Sequence, residues 1–148
     1  MFENIYQDRK VLVTGNTGFK GSWLSAWLKR LGATVIGLSK DYLDEPNMYL
    51  STSKSQADEL YFTDVRNYWD VCNVLNNVEP DFVFHLAAQP IVSISLDHPV
   101  ETFETNIMGS VNVMAACMNM DKPPVLVAIT SDKCYENKEW VYGYRETD

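Results

Sequence analysis

A chain of 148 residues is long enough for one ordinary domain with a single core and too short for two, so residues 1–148 are expected to form one domain. Its composition, 46% hydrophobic and 22% charged, is that of a globular protein, and a formal net charge of −8 opposes contact with a phosphate backbone. Nucleic acid is excluded as an expected partner. No apolar run approaches the roughly 20 residues that span a bilayer, and the start, MFENIYQDRK, lacks the apolar centre of a signal peptide. No membrane partner and a cytoplasmic location are therefore expected. Cys72, Cys117 and Cys134 are scattered with no CxxC pair, which argues against a disulfide framework and against a zinc site. Cys72 and Cys117 read as buried helix residues, and no metal is expected.

In chain order, KVLVT (Lys10 to Thr14) is a short apolar run that stops at Gly15, the pattern of a strand buried on both faces. Trp23, Leu24, Trp27, Leu28 and Leu31 then fall at helical spacing, with Gly32 placed for a left-handed cap. TVIGL (Thr34 to Leu38) predicts a second strand, and the polar stretch from Ser39 to Glu59, with Pro46 and STSKS, an excursion with little regular structure. A third strand ends near Phe62. Tyr68, Val71, Cys72, Leu75 and Val78 mark a helix that stops before Pro80. DFVFHLA (Asp81 to Ala87) predicts the fourth strand, a long helix runs from about Pro99 to Met120, and PVLVAIT (Pro124 to Thr130) predicts the fifth strand. Such alternation means an α/β fold, a doubly wound parallel sheet of Rossmann type, with expected strand order 3-2-1-4-5. Ligands of such a sheet sit beyond the carboxyl ends of the strands, at the switch point between strands 1 and 4.

Polar and glycine-rich clusters fall at those ends. TGNTGFKG (Thr14 to Gly21) lies between the first strand and its helix. There Gly15 permits a tight turn, Gly18 brings backbone N–H groups to a pyrophosphate, and Gly21 lets helix and strand pack closely. The spacing is GxxGxxG, and the Lys-Ser/Thr ending of a nucleoside triphosphate loop is absent. Where an acid often reads the adenosine ribose, this chain has Ser39, then Lys40 and Asp41, which on charge alone tolerates a 2′-phosphate and leaves NAD against NADP open. Asp64 in TDVRN is placed either to accept from an adenine amino group or to cap the helix beginning near Asn67. HLAAQ (His85 to Gln89) and ITSDKCYEN (Ile129 to Asn137) end strands 4 and 5. In the second, Ser131 offers a hydroxyl, Asp132 an acid and Lys133 a base, and a solvated turn is the competing reading. His85, inside an apolar strand, reads as a satisfied core histidine, and His98 beside Pro99 as structural.

Together these motifs resemble the extended short-chain dehydrogenase/reductase family of nucleotide-sugar enzymes, with TGNTGFKG, DVR, HLAAQ and Thr105–Asn106 in that family's order. Within it GFKGSWL (Gly18 to Leu24), HLAAQPIV (His85 to Val92), VETFETNIMG (Val100 to Gly109) and TSDKCYENKEWVYGYRE (Thr130 to Glu146) are similar to the branch of 4,6-dehydratases that act on CDP-glucose. The resemblance implies that bound NAD takes hydride from C4, that water is lost across C5 and C6, and that hydride returns to C6. It implies cofactor contacts from Gly15, Thr17, Gly18, Phe19, Lys20 and Gly21, from Ser39, Asp64 and Val65, from Leu86, Ala87, Ala88 and Gln89, and from Asn106 and Thr130. Ser131 then holds the C4 hydroxyl, Asp132 protonates the departing C6 hydroxyl, and Lys133 stands where related dehydratases carry a glutamate base. A homo-oligomer is implied too, a dimer at full length, with the Pro99–Met120 helix placed to supply part of the contact.

After the fifth strand the family's Tyr-x-x-x-Lys pair does not occur. Tyr135 precedes Glu139, and Tyr142 and Tyr144 are followed by no lysine at that spacing. The expectation is an amino-terminal part of an enzyme, inactive alone, whose sheet edge and apolar surface favour self-association. An epimerase or reductase of the same family, and a non-catalytic dinucleotide-binding module, are the alternatives.

Overall fold

The structure, a computed structural model, describes residues 2–41, 48–51, 57–131 and 135–148. The strands are β1 (Lys10–Thr14), β2 (Thr34–Ser39), β3 (Glu59–Phe62), β4 (Phe82–His85) and β5 (Val125–Ala128). All neighbouring pairs are parallel, in the order β3-β2-β1-β4-β5, as the alternation of periods requires. The helices are α1 (Phe19–Arg30), the short α2 (Met48–Ser51), α3 (Tyr68–Val78), α4 (Val92–Asp97), α5 (Pro99–Phe103) and α6 (Gly109–Met118), with a π-helical turn over Glu104–Met108 joining the last two.

Successive strand residues point to opposite faces, so the apolar runs feed two cores at once. Leu12, Ile36, Leu38 and Val83 pack against Val71, Leu75 and Val78 of α3 and Val113 and Cys117 of α6. On the other face Val11, Val13 and Val35 meet Leu28 of α1. Cys72 is only half-buried, whereas Cys117 is buried, which pushes its thiol up to about 11, with the nearby Cys72 adding to the rise. It is inert at neutral pH. Cys134 lies outside the described residues.

Helix α1 stands where its period places it, but its buried face differs from the expected one. Gly21, Ser22, Ser25 and Leu28 face the sheet, while Phe19 and Trp23 are 68% and 56% exposed. Small residues face inward because the helix starts hard against the turn before it. A Cβ on Gly21 would stand 2.1 Å from the Gly15 carbonyl oxygen and 2.7 Å from Asn16 Cα. The bulky residues are left on the outside, where Trp27 meets the Phe2 ring at 5.5 Å between centroids.

The long helix expected from Pro99 to Met120 ends at Met118 and is not regular, because the π turn adds a residue to one coil. Helix α4, ahead of it, has no counterpart in the periodicity. Within the polar excursion, α2 buries Tyr49, and residues 42–47 and 52–56 lie outside the described set. Helix α3 stops as Pro80 predicts, with Glu79 taking the left-handed cap at φ 49°. Strand β5 is an edge strand with Val125 and Val127 exposed. No helix among the described residues is long and apolar enough to cross a membrane.

Gly21→Ala is expected to lower stability by about 1–3 kcal/mol, since the added methyl meets backbone on both sides. Trp23→Gln is expected to change it by less than about 0.5 kcal/mol. Urea unfolding of the two variants beside the parent checks both.

Candidate functional site

The carboxyl ends of all five strands come together at one edge, where Thr14 is registered against Leu38 on one side and His85 on the other, and His85 against Ala128. Gly15 leaves β1 at φ +70° and runs so close to β4 that a Cβ would stand 2.9 Å from Ala87 Cα. Only glycine combines that angle with that approach. Gly18 then caps α1 and, having no side chain, leaves the first-turn N–H groups of Phe19, Lys20 and Gly21 without a side-chain cap. An open helix N-terminus inside a glycine cradle suits an anion, because its donors and its dipole point the same way. Lys20 is exposed on the first turn.

Ser39, at the end of β2, is turned inward. Its hydroxyl donates to Asn16 Oδ1 at 2.8 Å and accepts from Thr17 N at 3.2 Å, while Thr17 Oγ1 donates to the Asp41 carbonyl at 2.8 Å. Ser39 thus orders the glycine turn rather than presenting itself to a ribose. Lys40, next in sequence, lies 3.6 Å from Glu101 of α5. Past β3, Asp64 accepts from Arg66 N and grips the Arg66 guanidinium through Nε and Nη2, the latter at 2.7 Å. Burial by itself would raise the Asp64 carboxyl, but the Arg66 bonds outweigh it and hold the group below the usual carboxylate range. The helix-cap reading of Asp64 is not what the structure shows, because Asn67 caps α3 with its side chain accepting from Asp70 N. Val65 is buried, fills the space beside Gly109, and its carbonyl accepts from Asn112 at 3.0 Å.

The third cluster forms a latch. Ser110 Oγ donates to the Asn106 carbonyl at 2.7 Å, so it accepts from His85 Nε2 at 3.0 Å. The remaining ring nitrogen, Nδ1, must then accept from Thr14 Oγ1 at 2.7 Å, and that oxygen in turn accepts from Leu86 N and Ala87 N, each at 3.1 Å. His85 is 3% exposed, neutral, and held in the Nε2–H tautomer, which bears out the core-histidine reading and adds a role to it. Beyond the ring, the Asn106 side chain accepts from Gln89 N at 2.7 Å and donates to Gln89 O at 3.0 Å. The Gln89 amide group closes on Ile91 and on Thr102 Oγ1. The π turn is what carries Asn106 to the loop Leu86, Ala87, Ala88, Gln89.

At the end of β5, Thr130 and Ser131 are exposed at the same edge. Asp132 and Lys133 lie outside the described residues. No cluster of three metal-ligating side chains occurs among the described residues. Thr14, Asn16, Arg66, Glu101 and Ser110 complete the site and were not singled out by sequence. The register that sets Thr14 beside His85 was the available signal for the first, and Gly37, which leaves space for the Asn16 side chain over β2, for the second.

Fold and site define a doubly wound, Rossmann-type α/β protein with a glycine turn and an open helix N-terminus at its switch point. More narrowly, the chain belongs to the family described as GDP-mannose 4,6 dehydratase, whose profile matches residues 12–147. It is 42% identical over 146 residues to CDP-glucose 4,6-dehydratase of Salmonella typhimurium, covering 99% of this chain and 41% of that relative. A solved structure of Pal from Bacillus thuringiensis superposes with a TM-score of 0.80 at 26% identity, over 94% of this chain and 44% of that one. UDP-glucose 4-epimerase of Thermus thermophilus in complex with NAD gives 0.64 at 30% identity, over 73% and 33% of the two chains. The chain thus spans less than half the length of each of these relatives.

Burial lowers the His85 pKa from its usual 6.5, so the unfolded chain takes up a proton that the folded latch refuses. Its contribution to stability is complete above about pH 6.5 and is lost as pH falls below that, by about 1.4 kcal/mol per unit until the folded pKa is reached. His85→Gln is expected to flatten the pH dependence of the urea midpoint below about pH 6.5, whatever its effect on absolute stability.

Proposed function

We propose that these residues are the cofactor-holding portion of a sugar-nucleotide 4,6-dehydratase that acts on CDP-glucose with NAD. One observation carries the reading. An uncapped helix N-terminus in a glycine cradle meets a loop latched by His85 and Asn106 at a single switch point, in a chain 42% identical along nearly its whole length to an enzyme of that activity.

In this reading the N–H groups of Phe19, Lys20 and Gly21 hold the pyrophosphate, with Gly15, Thr17 and Gly18 shaping the turn and Ser39 fixing Thr17. Asp64 receives the adenine amino group, with Val65 setting the backbone beside it. The loop from Leu86 to Gln89, pinned by Asn106, supports the nicotinamide half, and Thr130 closes the other side. When bound, NAD supplies a hydride acceptor for C4 of the sugar and returns the hydride at C6. Ser131 holds the C4 hydroxyl, Lys133 stands where a base removes the C5 proton, and Asp132 gives a proton to the departing C6 hydroxyl. The products are CDP-4-dehydro-6-deoxyglucose and water.

The second reading is an epimerase of the same family, favoured by the likeness to the Thermus thermophilus enzyme with NAD. An epimer keeps its C6 hydroxyl, so product analysis separates the two. We also infer that a second copy of the chain covers the outer face of α5 and α6. Val100, Phe103, Ile107, Val111, Met114 and Met118 form an exposed stripe there, beside a groove of about 480 Å³. A stripe of this kind is complementary to itself about a two-fold axis.

Residues 1–148 spliced in place of the matching segment of the Salmonella typhimurium relative are expected to keep dehydration of CDP-glucose. Asp132→Asn in that chimera should lower kcat by roughly 10²–10⁴-fold with the fold intact. Loss of turnover with every nucleotide-linked glucose would remove the dehydratase reading. Val111→Lys is expected to shift the sedimentation coefficient of the chain from dimer to monomer.

A further inference from the structure

The glycine cradle accepts a pyrophosphate from NAD and NADP alike, so discrimination has to come from the far side of the adenosine. In a doubly wound fold the ribose 2′ position lies over the end of the second strand, where a carboxylate favours the free hydroxyl and a cation favours the phosphate. Among the described residues the cations at that place are Lys40, the residue after β2, and Arg66, just past β3. Arg66 is already ringed by carboxylates: Asp64 at 2.7 Å, Glu101 at 3.4 Å and Glu104 at 3.7 Å. Lys40 has a single acidic partner within 4 Å among the described residues, and it is the same Glu101 oxygen, Oε1, at 3.6 Å. Glu101 lies on α5, far in sequence from either strand end. One carboxylate oxygen thus bridges both cations.

We propose that Glu101 is a specificity-determining residue that makes the site take NAD and reject NADP, by engaging Lys40 and Arg66 and placing its own charge beside the 2′ position. The inference rests on the dinucleotide reading of the glycine turn and adds to it the residue that sets the choice. Asp64 and Glu104 contribute to the same negative field, and Asp64 feels the Lys40 charge as well, but among the described residues only Glu101 comes within 4 Å of Lys40. Against two cations stand three carboxylates, so a phosphate dianion arriving there meets a net negative cluster. The bridging pairs are half exposed and hold little stability of their own, so removing Glu101 changes the field without unfolding the chain.

Isothermal titration of the 148-residue chain with NAD and with NADP at low salt tests this. The parent is expected to prefer NAD. Glu101→Gln is expected to tighten NADP by about tenfold while leaving NAD nearly unchanged, the effect of one unit charge on a dianion at roughly 6 Å in a water-like dielectric. Lys40→Met added to Glu101→Gln should remove the gain, and Glu104→Gln alone should give a smaller one. Raising the salt should shrink the difference. A parent that prefers NADP, a Glu101→Gln variant that changes both affinities equally, or an equal gain from Glu104→Gln overturns the role of Glu101 and leaves the dinucleotide reading standing. A folded parent that binds neither cofactor overturns both.

Discussion

The Thr14 hydroxyl is the group around which the carboxyl edge of the sheet is organised. Its oxygen accepts two backbone N–H groups from the loop after β4, and its proton goes to His85. That arrangement exists only while the imidazole is neutral with its proton on Nε2, which the Ser110–Asn106 bond enforces from the other side. Inside a sheet buried on both faces no water replaces a lost partner, so each member of the chain fixes the next. Loop position and the placing of Asn106 are tied through His85 and Ser110 to one buried hydroxyl.

Close approach is the second constraint, and it works against polar satisfaction. Helix α1 enters against Gly15, Asn16 and the β1 end, with glycine and serine in the interface where larger residues cannot fit. Under that contact the buried Ser25 Oγ and Asn16 Nδ2 have no hydrogen-bond partner among the described residues, while Asn16 Oδ1 serves Ser39. Unpaired buried polar atoms each cost about 1–3 kcal/mol. They are found where the backbone is drawn tightest, beside the turn that aims the open helix end outward. Stability has been yielded at the place where the geometry of the turn is set.

How much of this the sequence disclosed follows from which forces are local. Strands such as KVLVT and TVIGL are legible because burial on both faces demands an unbroken apolar run, and their order follows from crossover handedness. The glycines at 15 and 21 are legible because backbone stands where their Cβ would be. The inward face of α1 was not, because the aromatic residues at helical spacing point to solvent and the packing is set by small residues that carry no hydrophobic signal. The π turn was hidden as well. Its residues are ordinary helix formers, and the bond from Asn106 to Gln89 that holds it joins positions brought together only by the fold. Glu101 and Arg66 belong to this second kind, being charged surface residues until two strand ends and a helix converge.

In a chain of net charge −8 the proposed anion site draws on a local source of positive potential beyond its side chains. The open end of α1 supplies one, because peptide dipoles and uncapped N–H groups attract an anion without any titratable group. The cations at the next strand ends are instead tied into pairs: Lys40 with Glu101, and Arg66 with three carboxylates. Attraction and selection are thus divided between different parts of the molecule. In the proposed reading the backbone draws in a pyrophosphate, and the ion pairs at the next strand ends govern which further charge is tolerated. Because dipole and pairs sit on separate elements, the second can change by substitution on the surface without disturbing the buried latch that holds the first in place.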